Sequence, residues 1–259
     1  MKKTERHEHI LMEALRTSEK MTLSDAMNLL KVSESTARRL FCQMESHGNV
    51  IRVHGGIQFV GPTPKEYSYD IVEGRNTIAK RKIALAAAEL IQDGDIIFLD
   101  SGSTLAYLSE AIAEKLKSGK LNDLVIFTNS LVNLNYLCNE TRVTIIGGYY
   151  RDNRKDFCGY VAEETAKSLN FTKCFLGTDG YSIHTGFTAI DFSTARLNEV
   201  VLSRSAYRVV MADTDKFHGT TVVSYSRNQQ IHLLITDQLP EDAVRAEIES
   251  GGTTISVPD

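Results

Sequence analysis

The most constraining feature of the sequence is an apolar run that leads straight into a turn of small residues. Residues 96–99 read Ile-Ile-Phe-Leu, a composition that predicts a buried strand. The turn that follows, Ser101-Gly102-Ser103-Thr104, precedes apolar residues at helical spacing: Leu105, Leu108, Ile112 and Leu116. Such a turn can hold an anion, because the first N–H groups of a helix lack partners and glycine permits close approach. A plain helix cap is the alternative interpretation.

Strands and helices alternate through the rest of the chain after this turn. Five more apolar runs predict strands, at residues 124–127, 143–146, 174–176, 207–211 and 233–235. The residues that follow these runs are mainly Gly, Ser, Thr, Asn and Asp, small groups suited to a polyol and its phosphate. The alternation is typical of an α/β fold, with a mostly parallel sheet and helices on both faces. Because ligands bind outside the carboxyl ends of such strands, we expect a binding crevice there.

The first sixty residues are organised differently. They carry nine Lys and Arg against seven Asp and Glu, whereas the whole chain has a formal charge of −4. Helical periodicity predicts helices over residues 5–16 and 23–30, and a third after Ser33 that buries Ala37, Leu40, Phe41 and Met44. Residues 50–59 predict a two-stranded ribbon. Three helices followed by a ribbon are the layout of a winged helix-turn-helix domain.

The third predicted helix carries small and basic side chains on the face opposite its apolar one. In a helix-turn-helix this face enters the major groove, where Arg forks onto guanine and hydroxyl groups reach bases or phosphates. Ribbon residues would lie near backbone phosphates. The candidate DNA-binding residues are therefore Ser33, Ser35, Thr36, Arg38, Arg39, Gln43, Arg52 and His54. A small protein-interaction domain is the alternative, because surface arginines are usually only solvated.

Composition sets the domain boundaries and excludes several classes of protein. Gly61-Pro62-Thr63-Pro64 interrupts the pattern, so we expect a DNA-binding domain over residues 1–60, a linker over 61–76 and an α/β domain over 77–259. The four cysteines form no C-x-x-C pair, which favours a reducing cytoplasm and argues against a metal site. No apolar run approaches the roughly 20 residues that span a bilayer, so we expect no membrane contact. Without a P-loop or G-x-G-x-x-G pattern, we expect no nucleotide cofactor.

Two groups of motifs resemble one known family. Residues 32–39, 44–48 and 52–56 are similar to the DNA-binding domain of DeoR-family regulators. The motifs of residues 99–104, 128–130, 147–148, 177–180, 212–213 and 216–217 are similar to that family's sensor domain, whose fold is similar to ribose-5-phosphate isomerase. The chain departs from the family at Leu40, where an Asp is common, and at Asn198-Glu199, where a Lys-Arg pair is common.

The resemblance implies a DNA-binding transcriptional regulator, usually a repressor of a carbohydrate operon, whose partners are double-stranded operator DNA and a phosphorylated sugar. It places this effector on Asp100, Ser101, Gly102, Ser103, Thr104, Thr128, Asn129, Ser130, Gly147, Gly148, Asp179 and Lys216. We also expect a homo-oligomer, a dimer or tetramer, because one recognition helix reads too few base pairs for specificity.

An active phosphosugar isomerase with an accessory DNA-binding domain is the alternative from another class. Such an enzyme needs a carboxylate as general base and a cation beside it, for which Asp179, Glu199 and Lys216 are candidates by residue type. The helix-turn-helix pattern favours regulation, so we expect no enzymatic activity.

Overall fold

The computed structural model describes residues 7, 8, 10–12, 14, 15, 20–46, 50–53, 55–59 and 68–258. The chain divides into an N-terminal unit, Met1–Glu66, and a C-terminal unit, Tyr67–Asp259. Each unit encloses its own hydrophobic core, and the larger unit has two.

The described part of the N-terminal unit contains three helices and three short strands. Its elements are α1, of which residues 7, 8, 10–12, 14 and 15 are described, β1 (Lys20–Thr22), α2 (Leu23–Leu30), α3 (Glu34–Ser46), β2 (Val50–Val53) and β3 (Gly56–Phe59). The strands pair antiparallel in the order β1-β3-β2, so the predicted ribbon gains a third strand that was not predicted. With three residues, β1 is too short to show a period of two.

Local signals set the ends of α2, and the apolar periodicity sets the core. Thr22 caps α2, since its hydroxyl accepts the Asp25 N–H at 3.2 Å while the Asp25 carboxylate accepts the Thr22 N–H at 2.9 Å. Lys31 ends the helix in the left-handed conformation, with φ +52°. The core contains all four predicted residues of α3 and is formed by Leu11, Leu15, Met21, Ala26, Ala37, Leu40, Phe41, Met44, Val50 and Ile57. The predicted winged helix-turn-helix layout is confirmed.

The C-terminal unit alternates strands and helices as predicted. In chain order its elements are α4 (Tyr69–Glu73), α5 (Thr77–Ala88), β4 (Asp95–Leu99), α6 (Ser103–Lys117), β5 (Leu124–Thr128), α7 (Leu131–Leu137), β6 (Val143–Ile145), β7 (Tyr149–Arg151), β8 (Asp156–Cys158), α8 (Tyr160–Lys167), β9 (Phe171–Gly177), β10 (Gly180–Ser182), β11 (Gly186–Ala189), α9 (Phe192–Ser203), β12 (Ser205–Met211), the 3-10 helix η1 (Thr214–His218), β13 (Val223–Ser226), the 3-10 helix η2 (Asn228–Gln230), β14 (Leu233–Ile235), α10 (Asp242–Ser250) and β15 (Thr254–Ser256).

Seven of these strands form a parallel sheet with a core on each face. The order is β15-β14-β12-β9-β4-β5-β6, and every neighbouring pair is parallel. Successive residues of a strand join different cores: Ile97 and Leu99 pack with residues of α5 and α6, whereas Phe98 packs with residues of α8 and α9. The predicted α/β fold, with helices on both faces, is confirmed.

Strands β4 and β9 lie at the point where the chain changes direction across the sheet. From β4 the chain continues to β5 and β6 on one side, and from β9 it continues to β12, β14 and β15 on the other. Ligands of open α/β sheets bind at this switch point, outside the carboxyl ends of the two strands. The segments 100–104 and 178–179, which directly follow β4 and β9, lie there.

Two small antiparallel sheets, which were not predicted, follow the carboxyl ends of the parallel strands. The hairpin β7–β8 comes after β6, and the sheet β10-β11-β13 is formed by segments after β9 and β12. Most of these strands have only three or four residues, which leaves little periodicity to detect. Because both sheets grow from the same edge, they supply walls to the region around the switch point.

The structure differs from the predicted linker over its second half. Residues 69–73 form α4, and buried Tyr69 donates its N–H to the Asn153 carbonyl at 2.8 Å. Asn76 donates to the carboxylates of Asp213 and Asp215 at 3.0 and 2.8 Å. This segment therefore belongs to the C-terminal unit. Its anchoring contacts reach far along the chain, so local composition does not reveal them, and residues 61–67 lie outside the described residues.

Candidate functional site

The turn after β4 is buried and starts α6. Gly102 is the N-cap residue, with φ +131°, a conformation that residues with a side chain rarely adopt. The hydroxyl residues of the turn are all buried: Ser101, Ser103 and Thr104. The space beside Gly102 is open, since a Cβ there would meet only Leu105, at 3.9 Å. The first N–H groups of α6 have no partner within the helix, so this space suits an anion.

Asp100 joins the ends of the two central strands. Its carboxylate accepts the Ser101 N–H at 2.7 Å and the N–H of Gly177, the last residue of β9, at 3.1 Å. Burial raises the pKa of Asp100 to about 7, although these hydrogen bonds and the charge of Arg154 act in the opposite direction. Asp100 therefore titrates near neutral pH, beside the turn.

A network of paired charges supports the turn from the side of β7 and β8. Ser101 Oγ donates to the fully buried Asp156 at 2.7 Å. Arg151 binds the same carboxylate through two nitrogens, at 2.8 and 2.7 Å, and reaches Asp191 at 2.8 Å. Arg154 lies 3.5 Å from Asp156, 3.8 Å from Asp179 and 3.7 Å from Asp191. This network was not predicted, because Arg151, Arg154 and Asp156 meet partners that are distant in sequence: Ser101, Asp179 and Asp191.

A pocket opens at the switch point. Seven of the predicted effector residues line it: Asp100, Ser101, Gly102, Ser103, Thr104, Asp179 and Lys216. Five further polar residues line it that were not among the predicted effector residues: Lys80, Arg154, Thr178, Thr194 and Asn198. Within the described ranges, no group of three or more His, Cys, Asp or Glu is placed to hold a metal ion.

Lys80 and Lys216 give the pocket two ammonium groups. Lys80 is 2% exposed, and its Nζ donates to the Val72 carbonyl at 2.5 Å. Burial lowers the pKa of Lys80 to about 8, while the charge of Asp213 acts to raise it. The sequence did contain a signal for this residue. Lys80 stands three and four positions before the core residues Ile83 and Ala84, on the apolar face of α5.

The predicted effector residues at the ends of β5 and β6 do not line the pocket. Thr128 Oγ1 donates to the Leu99 carbonyl at 2.7 Å and accepts the Ser130 N–H at 3.1 Å. Asn129 donates to the Phe157 carbonyl at 3.1 Å. Gly147 and Gly148 follow β6, and a Cβ on Gly148 would collide with the Cys158 carbonyl. Thr128, Asn129, Ser130 and Gly148 therefore fix the loops that hold the turn and the hairpin in place, whereas a Cβ on Gly147 would meet nothing within 4 Å.

The two residues that depart from the family pattern in α9 point in different directions. Asn198 is 1% exposed, lines the pocket and approaches Asp100 Oδ2 with its Nδ2 at 3.4 Å. Glu199 lies outside the pocket lining and accepts a hydrogen bond from Arg196 at 2.7 Å. Of the pair, only Asn198 is placed to contact a ligand in this pocket.

In the N-terminal unit, α3 presents its polar face to solvent. Ser35, Arg38, Arg39 and Gln43 are exposed, and the Ser33 hydroxyl lies 3.0 Å from that of Thr36. Arg38 binds Glu34 on the preceding turn, at 2.9 and 2.7 Å. Exposed Arg52 on β2 donates to Cys42 Sγ at 3.4 Å, so it lies beside the same helix. His54 lies outside the described residues.

Family models match both units. The DeoR-like helix-turn-helix domain matches residues 6–63, and the DeoR C terminal sensor domain matches residues 75–238. The chain belongs to the DeoR family of transcriptional regulators. The resemblance seen in the sequence is confirmed, and the protein is a DNA-binding transcriptional regulator whose sensor domain holds the pocket.

Two related regulators match this chain over nearly their whole length. The HTH-type transcriptional regulator GlpR of Haloferax volcanii is 30% identical over 245 residues, which are 95% of this chain and 94% of that protein. The lactose phosphotransferase system repressor of Streptococcus mutans is 29% identical over 247 residues, 95% and 96% of the two chains. Among solved structures, ribose 5-phosphate isomerase A of Methanocaldococcus jannaschii has a TM-score of 0.42 and 18% identity, with 55% of each chain covered. No helix in the described ranges is long and apolar enough to cross a membrane.

Proposed function

We propose that this regulator represses a carbohydrate operon and responds to a phosphorylated sugar that binds at the switch point. The observation that carries the proposal is the turn from Ser101 to Thr104, where a helix start, an open glycine and three buried hydroxyls meet two lysines in one pocket. Related regulators named for sugar systems support the choice of ligand class, among them the lactose phosphotransferase system repressor.

The turn binds the phosphate, and the rest of the pocket binds the sugar. Phosphate oxygens accept hydrogen bonds from the first N–H groups of α6 and from the hydroxyls of Ser103 and Thr104. The ammonium groups of Lys80 and Lys216 add positive charge. Asp100, Asp179 and Thr194 offer acceptors for the hydroxyl groups of the sugar. Thr128, Asn129, Ser130 and Gly148 act indirectly, by fixing the surrounding loops, and Gly147 lies in one of these loops.

The N-terminal unit reads double-stranded operator DNA with α3. Ser35, Thr36, Arg38, Arg39 and Gln43 lie on the polar face of the helix, and Ser33 caps its start. Arg52, on β2, contacts backbone phosphates, and His54 has the same role. The protein works in the cytoplasm as a dimer or tetramer, since paired recognition helices are required to read two half-sites.

The pocket binds its sugar without converting it. An isomerase would use Asp179, Glu199 and Lys216 as its candidate catalytic residues. Glu199 lies outside the pocket lining, where it accepts a hydrogen bond from Arg196. Asp179 accepts the Ile190 N–H at 3.0 Å and lies 3.8 Å from Arg154, so its carboxylate is already engaged by groups of the protein.

The test measures operator binding by the full-length protein with and without sugars. Duplexes that bind the protein are selected from a random library, and fluorescence anisotropy then follows one selected duplex in the presence of sugar phosphates and of the same sugars without phosphate. We expect at least one sugar phosphate to change DNA affinity tenfold or more, while its plain sugar has no effect. Equal effects of the two forms, or turnover of the sugar phosphate, would contradict the proposal.

A further inference from the structure

Asn198 presents an amide to the pocket with part of its hydrogen-bonding capacity unused. Its Nδ2 lies 3.4 Å from Asp100 Oδ2. Its Oδ1 is buried and has no hydrogen-bond partner within the described part of the chain. A buried polar atom without a partner is rare and costly, and one in a pocket wall is satisfied when a ligand supplies the donor. The donor that fits an amide oxygen is a hydroxyl or amine hydrogen.

The charged groups on this side of the pocket are acidic or already paired. Arg151 and Arg154 are opposed by three carboxylates, those of Asp156, Asp179 and Asp191. The carboxyl group of Asp100 lies beside Asn198 itself. An anionic group of a ligand placed against Asn198 would therefore lie beside the carboxyl group of Asp100 and near arginines that carboxylates already oppose, in a buried site where screening by water is weak.

The turn at the start of α6 has the opposite character, because it offers N–H groups, hydroxyls and the nearby ammonium groups of Lys80 and Lys216. The pocket thus has one place for an anion and one for a neutral hydroxyl. A ligand with a single charged end satisfies both places, whereas a ligand charged at both ends satisfies only one.

We propose that Asn198 and Asp100 together bind a hydroxyl group of the effector, and that the pocket thereby selects sugars with one phosphate over sugar bisphosphates. Asn198 Oδ1 accepts the hydroxyl hydrogen, and Asp100 holds the amide in the orientation that points this oxygen at the ligand. The inference rests on the proposed function, since it concerns a hydroxyl group of the same sugar phosphate.

The experiment compares matched pairs of ligands by calorimetry on the full-length protein. The pairs are ribose 5-phosphate with ribose 1,5-bisphosphate, fructose 6-phosphate with fructose 1,6-bisphosphate, and glucose 6-phosphate with glucose 1,6-bisphosphate. In the pair that binds, we expect the monophosphate to bind at least tenfold more tightly. Asn198→Lys places an ammonium group where the second phosphate would lie, and we expect it to lower this preference at least tenfold by improving bisphosphate binding.

Two further variants make the comparison specific. Glu199→Gln changes the net charge by the same +1 on the next residue, outside the pocket lining, and should leave the preference unchanged. Asn198→Ala removes the amide without adding charge, and should weaken monophosphate binding about tenfold. If Asn198→Lys does not fold, Asn198→Ala decides the matter. All ten tyrosines lie in the C-terminal unit and the chain lacks Trp, so tyrosine fluorescence reports whether this unit is folded.

The outcomes separate this inference from the proposed function. Equal binding of both members of a pair by the wild-type protein would overturn the inference and leave the sugar-phosphate function standing. So would monophosphate binding that is unaffected by Asn198→Ala, or a Glu199→Gln variant that shifts the preference as much as Asn198→Lys. If no ligand of the three pairs bound, the proposed function would fail and the inference with it.

Discussion

The hydroxyl of Ser101 donates a hydrogen bond to the buried carboxylate of Asp156 over 2.7 Å. This bond ties the turn after β4 to the hairpin β7–β8, which was not predicted. Because Asp156 also binds Arg151 through two nitrogens, the position of the turn depends on a paired charge 55 residues further along the chain.

Asp156→Asn should therefore destabilise the C-terminal unit far more than Ser101→Ala. The first change takes from Arg151 and Arg154 their fully buried counter-charge, and the loss of one partner of a buried ion pair typically costs about 3–5 kcal/mol. The second change removes one hydrogen bond, worth about 1 kcal/mol. Urea unfolding followed by tyrosine fluorescence measures both. Asp152→Asn, an exposed carboxylate on the same hairpin, is the control and should change little. Similar losses for all three variants would show that the network does not support the hairpin.

Gly102→Val should abolish binding of the sugar phosphate and leave DNA binding intact. A valine at φ +131° is strained by about 1–3 kcal/mol, and its side chain blocks the approach of a phosphate to the start of α6. Thr104→Ala should weaken binding more mildly. Gly119→Val is the matched control, because Gly119 also has a positive φ and open space around it, at the far end of α6. Calorimetry that finds the same affinity in Gly102→Val and Gly119→Val would contradict a phosphate site here.

Glu34→Gln should raise operator affinity severalfold. Glu34 holds the Arg38 guanidinium at 2.7 Å, and its carboxylate repels DNA phosphates, so its neutralisation frees Arg38 for the groove.

Arg38→Ala should weaken operator binding by about 1–3 kcal/mol and reduce the preference for the operator over other sequences. Arg52→Ala should weaken binding to all sequences alike and reduce the salt dependence of binding. Anisotropy titrations at several salt concentrations measure these effects. Glu164→Gln, which breaks a similar exposed pair with Lys167 in the C-terminal unit, should have no effect.

The stability of the C-terminal unit should fall between pH 6 and pH 8 because of Asp100. Its pKa of about 7 in the folded protein lies above that of an unfolded aspartate, so the folded state binds the proton more tightly, and stability is lost as the pH rises through 7. The expected loss over this interval is on the order of 1 kcal/mol. Asp100→Asn should remove this part of the slope, and Asp152→Asn should retain it. Parallel slopes for the wild-type protein and Asp100→Asn would refute the assignment.

The strand, the turn and the helix around residues 95–117 were predictable because they are encoded locally. The apolar run of β4, the glycine and the apolar spacing of α6 each act within a few residues. The same holds for α3, whose inward residues Ala37, Leu40, Phe41 and Met44 all joined the core as predicted. Turn residues after several strands could therefore be placed at one edge of the sheet.

The polar side chains that complete the site could not be placed from local patterns. Arg151 and Asp191 are forty residues apart and meet only because the hairpin β7–β8 packs beside α9. Thr128 ends β5 and Gly148 follows β6, much as Ser101 follows β4, but β5 and β6 lie away from the switch point, where the pocket opens. The strand order decides which strand ends face a ligand, and this order is a property of the whole sheet.

That strand order also governs when each function becomes available during synthesis. The core of the N-terminal unit is complete within the first 66 residues. The pocket needs Lys216 and the ends of both β9 and β12. These two strands are neighbours in the sheet, although Ser205, which begins β12, comes 28 positions after Gly177, which ends β9. Since chains emerge from the ribosome N-terminus first, the segment that reads DNA can fold while the pocket still lacks part of its wall. The helix-turn-helix unit of a nascent chain can thus be folded before the pocket is able to hold a ligand.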